Sequence, residues 1–149
     1  MTTSQKGIDI IKSFEGCRLK AYQDSAGVWT IGYGTIMYPS GKRVRAGDRI
    51  TKECAEEYLA YEIDLKARSV EVFTSDLHLS QNQFDALVSF AYNLGVGALQ
   101  RSTLLKKVRA EKNDPAIRGE FMKWVRAGGK VLKGLQRRRQ KEADLYFSA

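Results

Sequence analysis

The stretch Leu79 to Gly95, LSQNQFDALVSFAYNLG, does most to limit the folds open to this chain. Ser80 with Gln83 three residues on is the pattern of a capping box, in which each side chain accepts the other residue's backbone N–H. Leu79 and Phe84 occupy the positions of a hydrophobic staple, and Gly95 supplies the stop. Between these signals stand Phe84, Leu87, Val88 and Ala91, so the helix, about 81–94, is apolar on most sides. Such a helix offers no face to water and must be wrapped by other elements. A chain of 149 residues built around it is one domain, or two lobes sharing one core.

The flanking segments differ in kind. Ile8, Ile11 and Phe14 recur at helical spacing over residues 5–15, and Gly16 closes that element. Residues 17–50 carry the β-formers Tyr22, Val28, Trp29, Ile31, Tyr33 and Ile36, punctuated by glycines at 27, 32, 34, 41 and 47. SAG and PSGK read as hairpin turns, which predicts a small antiparallel sheet of two or three strands. Thr51 is a candidate N-cap for a long helix bearing Ala55, Tyr58, Leu59, Ile63 and Leu65. Ser102 caps a short basic helix. Asp114 followed by Pro115 predicts a helix running to Gly128 and Gly129, and a last helix spans about 135–147. The fold class is α+β.

Charge is distributed unevenly. Residues 1–100 hold 11 Lys and Arg against 12 Asp and Glu, a net −1, whereas residues 101–149 hold 14 against 5, a net +9. The excess predicts an anionic partner for the last third: nucleic acid, phospholipid headgroups, lipopolysaccharide or cell-wall polymer. No apolar run approaches the roughly 18 residues that span a membrane. The N-terminus, interrupted by Asp9 and Lys12, lacks a signal-peptide pattern, so the product is expected to begin in the cytosol. Cys17 and Cys54 are too few for a disulfide framework and read as free thiols. With His78 they have no metal-ligand spacing, so no structural zinc site is expected.

The run FEGCRLKAYQDSAGVWTIGYGT, residues 14–35, concentrates the chemistry. Glu15 ends a helix, where the dipole disfavours an anion. Partly buried beside Phe14 and a sheet, it would keep its proton near neutrality and serve as an acid toward a glycosidic oxygen. Asp24 alone is an ordinary turn residue and Thr30 an ordinary strand residue. On one hairpin facing Glu15, the two would complete an inverting glycosidase site: acid, base and a hydroxyl that holds water.

The same run resembles the phage-type lysozyme family, the endolysins that cleave peptidoglycan. Its pattern is Glu, eight residues, Asp, five residues, Thr, then IG-x-G, and Glu15, Asp24, Thr30, Ile31, Gly32 and Gly34 match it without a gap. Residues 84–105 resemble the family's central helix and following turn, and residues 121–142 its C-terminal signature. The resemblance implies a single catalytic domain over 1–149, with an N-terminal helix and small sheet about 1–50, a larger helical lobe about 51–149 and a cleft between. It implies no separate wall-binding domain, as suits a Gram-negative host. It further implies that Glu15 is the general acid, that Asp24 positions and activates the water and that Thr30 holds it. The bond cut would be the β-1,4 link between N-acetylmuramic acid and N-acetylglucosamine. A holin partner would release the enzyme, a monomer, from the host cytoplasm to the wall.

Where some members place a histidine after IG-x-G, this chain has Thr35, which removes a buried His–Asp pair and leaves Thr35 as a polar group in the cleft. Asn93 sits where relatives bring the central helix to the cleft, although an asparagine before Gly95 is also a plain helix end. Arg137 and Arg138 resemble arginines near the acid, and the sequence does not say which approaches Glu15. Trp124 reads as core and His78 as a loop residue. Three rivals stand beside the muramidase reading. The run KGLQRRRQK would suit a nucleic-acid surface, but no recognition-helix or RNP-like pattern accompanies it, so no nucleic-acid partner is expected. A basic last helix with Leu135, Leu145 and Phe147 would disturb anionic outer membranes as a secondary activity. A lytic transglycosylase would need Glu15 but no water-holding pair.

Overall fold

The computed structural model describes all 149 residues. Helix α1 (Gln5–Phe14) leads to the hairpin β1 (Arg18–Gln23) and β2 (Trp29–Gly32). A loop then enters the long helix α2 (Lys52–Thr74). The central helix α3 (Gln81–Leu94) follows, then α4 (Val96–Arg101), α5 (Thr103–Ala110) and α6 (Ile117–Phe121). A two-residue hairpin, β3 (Arg126–Ala127) with β4 (Lys130–Val131), precedes the last helix α7 (Lys133–Tyr146). The α+β class is as the sequence predicts.

Helix α3 is wrapped as its composition demands. Residues Gln83 to Ala91 are buried without a break, and the Ser80–Gln83 capping box is fully formed. α7, α1, α2 and α4 all pack on it. The main core includes Phe84, Leu87, Phe90, Leu59, Ile63, Leu104, Phe121 and Tyr146. Trp124 packs on its edge, its ring 5.4 Å from that of Phe90 at 84°.

Helix α1 is held by a contact the sequence does not display. Asp85 of α3 is fully buried, and its Oδ1 accepts Ser4 N–H at 3.1 Å and Gln81 Nε2 at 2.8 Å. The Ser4 hydroxyl bonds Asp85 Oδ2 as well. A buried carboxylate thus meets the positive end of α1. The approach is so close that a Cβ on Gly7 would lie 2.8 Å from Asp85 Cγ.

The sheet is small. β1 and β2 pair antiparallel with Tyr22 opposite Thr30 and an irregularity between Arg18 and Tyr22. The loop after β2 is fixed by isolated bridges, Ile31 with Thr35, Met37 with Arg43 and Lys20 with Arg49. Tyr38 donates its hydroxyl to Asp48 Oδ2 at 2.7 Å. Ala21, Ile31 and Val44 form a second apolar cluster beneath it.

Three expectations are corrected. The helix predicted from Pro115 to Gly129 stops at Phe121. Asp114 does cap a turn, Oδ1 accepting Ala116 N–H at 2.9 Å, but Gly128 and Gly129, both at positive φ, turn a hairpin. Leu65, assigned to the apolar side of α2, is 43% exposed. The positive excess of the last third is not all free for an anionic partner, since Arg138 and Arg139 are buried.

Candidate active site

Glu15 is the C-cap of α1, its backbone already extended, so its side chain leaves the helix end and enters a cavity of about 750 Å³. Tyr33, Gly34, Glu62, Lys66, Tyr92 and Asn93 are among the residues that line it. A second recess of about 480 Å³ also contains Glu15 and Asn93, with Leu132, Arg137 and Arg138. The carboxyl therefore stands where two recesses meet. Its side chain is 26% exposed, less sunk than an apolar pocket would make it.

Arg138 settles which arginine reaches the acid. Its Nη1 lies 3.1 Å from Glu15 Oε1, and its guanidinium lies over the Phe14 ring at 5.5 Å. Arg138 is in turn held from behind. Nη2 donates to Ser89 O at 3.4 Å and Nε to Glu142 Oε2 at 3.4 Å. Glu142 is wholly buried, and it also meets Arg139 Nε at 2.7 Å and the Ser89 hydroxyl at 2.6 Å. Burial pushes the Glu142 carboxyl up, while the two guanidiniums and the serine oppose that shift. Arg139 Nη2 also donates to Asn93 Oδ1 at 2.7 Å, which fixes that amide at the junction of the two recesses. Arg137 is exposed and lines the second recess only from its rim.

Glu15 Oε2 has no hydrogen-bond partner, and a Cβ on Gly34 would lie 4.0 Å from it. Gly34 has φ +96°, a conformation that a side chain would strain. The turn after β2 thus passes beside the acid as bare backbone.

Asp24 and Thr30 lie on the β1–β2 hairpin and are not among the residues lining Glu15's cavity. Asp24 Oδ1 accepts the N–H groups of Ala26 and Val28 at 2.8 and 2.9 Å. Its Oδ2 makes no protein hydrogen bond. Thr30, 4% exposed, donates its hydroxyl to Val28 O at 2.9 Å. The hydroxyl's lone pairs are left to accept.

Thr35 is fully buried, and its hydroxyl donates to Glu62 Oε2 at 3.4 Å. Sequence reasoning missed Glu62. Burial, the largest cause, pushes its carboxyl from the ordinary 4.5 up to about 7, against the pull of Thr35 and Lys66. The signal was there: Glu62 flanks the buried stripe of Ala55, Leu59 and Ile63 on α2, and a carboxyl beside such a stripe is partly desolvated. No group of three or more His, Cys, Asp and Glu converges to hold a metal. Cys17 and Cys54 are free and half-buried. No helix is long and apolar enough to cross a membrane.

A mixed fold of this order, with a glutamate clamped by a buried arginine at the junction of two recesses, is that of a lysozyme-type glycoside hydrolase. The chain belongs to the phage lysozyme family, whose model matches residues 12–142. It is 43% identical over 155 residues to the endolysin of Acyrthosiphon pisum secondary endosymbiont phage 1, with 100% of each chain covered. It is also 43% identical over 150 residues to the endolysin of Bacillus phage B103, covering 99% of this chain but only 55% of that longer protein. Among solved structures, the endolysin from Escherichia coli O157:H7 phage FAHEc1 superposes with a TM-score of 0.86 at 42% identity, covering 99% of this chain and 94% of the other.

Proposed function

We propose that the chain is an inverting muramidase that lyses bacteria by cutting the β-1,4 bond between N-acetylmuramic acid and N-acetylglucosamine. The observation that carries this reading is Glu15: one carboxyl oxygen paired to Arg138, the other open, at the meeting of two recesses. Sugar rings in the two recesses would bring the glycosidic oxygen to Oε2, which donates the proton as the bond to the anomeric carbon breaks. Arg138 then stabilises the carboxylate left behind. The attacking water is hydrogen-bonded to Asp24 Oδ2 and Thr30 Oγ1; its oxygen attacks from the opposite face, inverting the anomeric centre, as Asp24 takes one proton and the other stays on the new anomeric hydroxyl. The geometry of the hairpin supports these roles, because each group keeps a free acceptor after its turn hydrogen bonds. Asn93 completes the glycan-binding wall, with the buried Thr35 behind that wall and Arg137 at the rim.

In this reading the whole of 1–149 is one catalytic domain, its sheet-bearing part and helical part forming the cleft walls. It acts as a monomer without a cofactor. It accumulates in the host cytoplasm and reaches peptidoglycan once a holin opens the membrane. The exposed basic residues of the β3–β4 hairpin and α7, Arg126, Lys130, Lys133, Arg137 and Lys141, with exposed Val131 and Leu132 beside them, supply a secondary affinity for lipopolysaccharide or anionic membrane. Loss of lipopolysaccharide binding on neutralising those cations would test that affinity.

The test of the main reading is digestion of purified peptidoglycan, with products identified by mass spectrometry. Wild type should release reducing-end N-acetylmuramic acid, and a folded Glu15→Gln protein should be nearly silent, by about 100-fold or more. Anhydro-sugar products would mean transglycosylation and would leave Asp24 and Thr30 without the water role.

A further inference from the structure

Glu62 is the one carboxyl in the Glu15 cavity that hydrolysis leaves unused. It shares that cavity with the acid, yet no cation lies within ion-pair distance of it. Its hydrogen-bond partner is the Thr35 hydroxyl at 3.4 Å, a weak contact. The charged and titratable groups around it can be counted by element. α2 itself offers Lys66 one turn on, and the end of α1 offers Glu15, a like charge. The loop after β2 offers Tyr33 and Thr35, α3 offers Tyr92, and α4 offers only apolar Val96. Arg138 of α7 is committed to Glu15 and Glu142. Thr35 and Lys66 offset only part of the hydration that burial removes from an ionised Glu62.

We propose that Glu62 binds the glycan directly, as a neutral carboxylic acid donating a hydrogen bond to an acetamide or hydroxyl oxygen, and that affinity falls when this proton is lost. The proposal rests on the muramidase reading and assigns a further contact in the same site. The chemistry favours the neutral form. The stem peptides of muropeptides carry carboxylates, which a negative charge on Glu62 would repel. An un-ionised carboxyl supplies a donor that a carboxylate lacks. Burial raises the proton affinity of Glu62 into the range where this switch operates near neutrality.

The test is calorimetric titration of a soluble disaccharide-tetrapeptide oligomer at pH 6 and pH 8, in the Glu15→Gln background, which removes turnover. Affinity should fall by up to about tenfold between the two pH values, the limit for one ionisation centred near 7. The Glu15→Gln/Glu62→Gln protein should lose that dependence, and Glu15→Gln/Glu62→Ala should bind more weakly at both pH values. Thermal melts of each variant separate a packing defect from a lost contact, since a structural role would shift melting without altering the pH dependence of affinity. If the double Gln variant keeps the fall, or if the parent shows none, Glu62 does not bind glycan as a neutral acid. A wild type that binds with this pH dependence but cleaves nothing would overturn the muramidase reading and leave the Glu62 contact standing. Absence of any binding would overturn both.

Discussion

Glu62 is held by a buried hydroxyl and no cation, and this has a consequence for stability as well as binding. The carboxyl's proton affinity is raised on folding, from the ordinary 4.5 to about 7. Between those values the folded state holds a proton that the unfolded state has lost. Stability is therefore fully present below about pH 4.5 and declines as pH rises through about 7. Glu62→Gln should remove this decline, so its melting temperature should gain on that of the wild type between pH 5 and pH 8. Equal pH slopes in scanning calorimetry would contradict it. The Arg139–Glu142 pair makes the opposite case. Both are fully buried, so Arg139→Ala should strip Glu142 of its shorter ion pair and cost about 3–5 kcal/mol in denaturant unfolding at pH 7. A loss under 1 kcal/mol would mean that Arg138 and Ser89 compensate Glu142 alone. Neither partner could be assigned from KGLQRRRQK, because a run of cations looks like a solvated face until the fold supplies a buried carboxylate one turn away.

At the scale of elements, α3 shows how local signals and tertiary contacts divide the work. The capping box, staple and terminal glycine predict residues 81–94, and the helix runs from Gln81 to Leu94. Ser80→Ala should cost about 1 kcal/mol and lower the melting temperature by about 2–4 °C. Gly7→Ala should cost more, about 1–3 kcal/mol, because its methyl group would overlap Asp85 of α3 at 2.8 Å. A neutral or stabilising Gly7→Ala, the usual result in an exposed helix, would show that α1 can shift away from α3. The first effect was legible in sequence and the second was not, since nothing local joins Gly7 to Asp85 across 78 residues. The same division explains the misread segment after Asp114. Its cap signal was real, but consecutive glycines at 128 and 129 read equally as a helix end or a hairpin turn. The hairpin is the one formed.

For the whole molecule, the gradient of charge along the chain becomes a surface. Of the 14 Lys and Arg beyond residue 100, Arg138 and Arg139 are spent on buried ion pairs. Arg126, Lys130 and Lys133 are all exposed and project from the β3–β4 hairpin and the start of α7. That hairpin leads through Leu132 and Gly134 into the recess holding Glu15, so the free positive charge lies at the approach to the site. Steering by exposed charge acts on the encounter rate and weakens as the screening length shortens, from about 30 Å at 0.01 M salt to about 8 Å at 0.15 M. Hydrolysis of intact peptidoglycan should therefore slow as salt rises over that range. Cleavage of a short uncharged glycan, which gains nothing from steering, should change little. Combining Arg126→Gln, Lys130→Gln and Lys133→Gln should lower the low-salt rate on peptidoglycan and flatten its salt dependence, with the two proteins converging at high salt. If the triple variant keeps the wild-type slope, the encounter is governed by other charges, and Lys66 within the cavity is the next to neutralise.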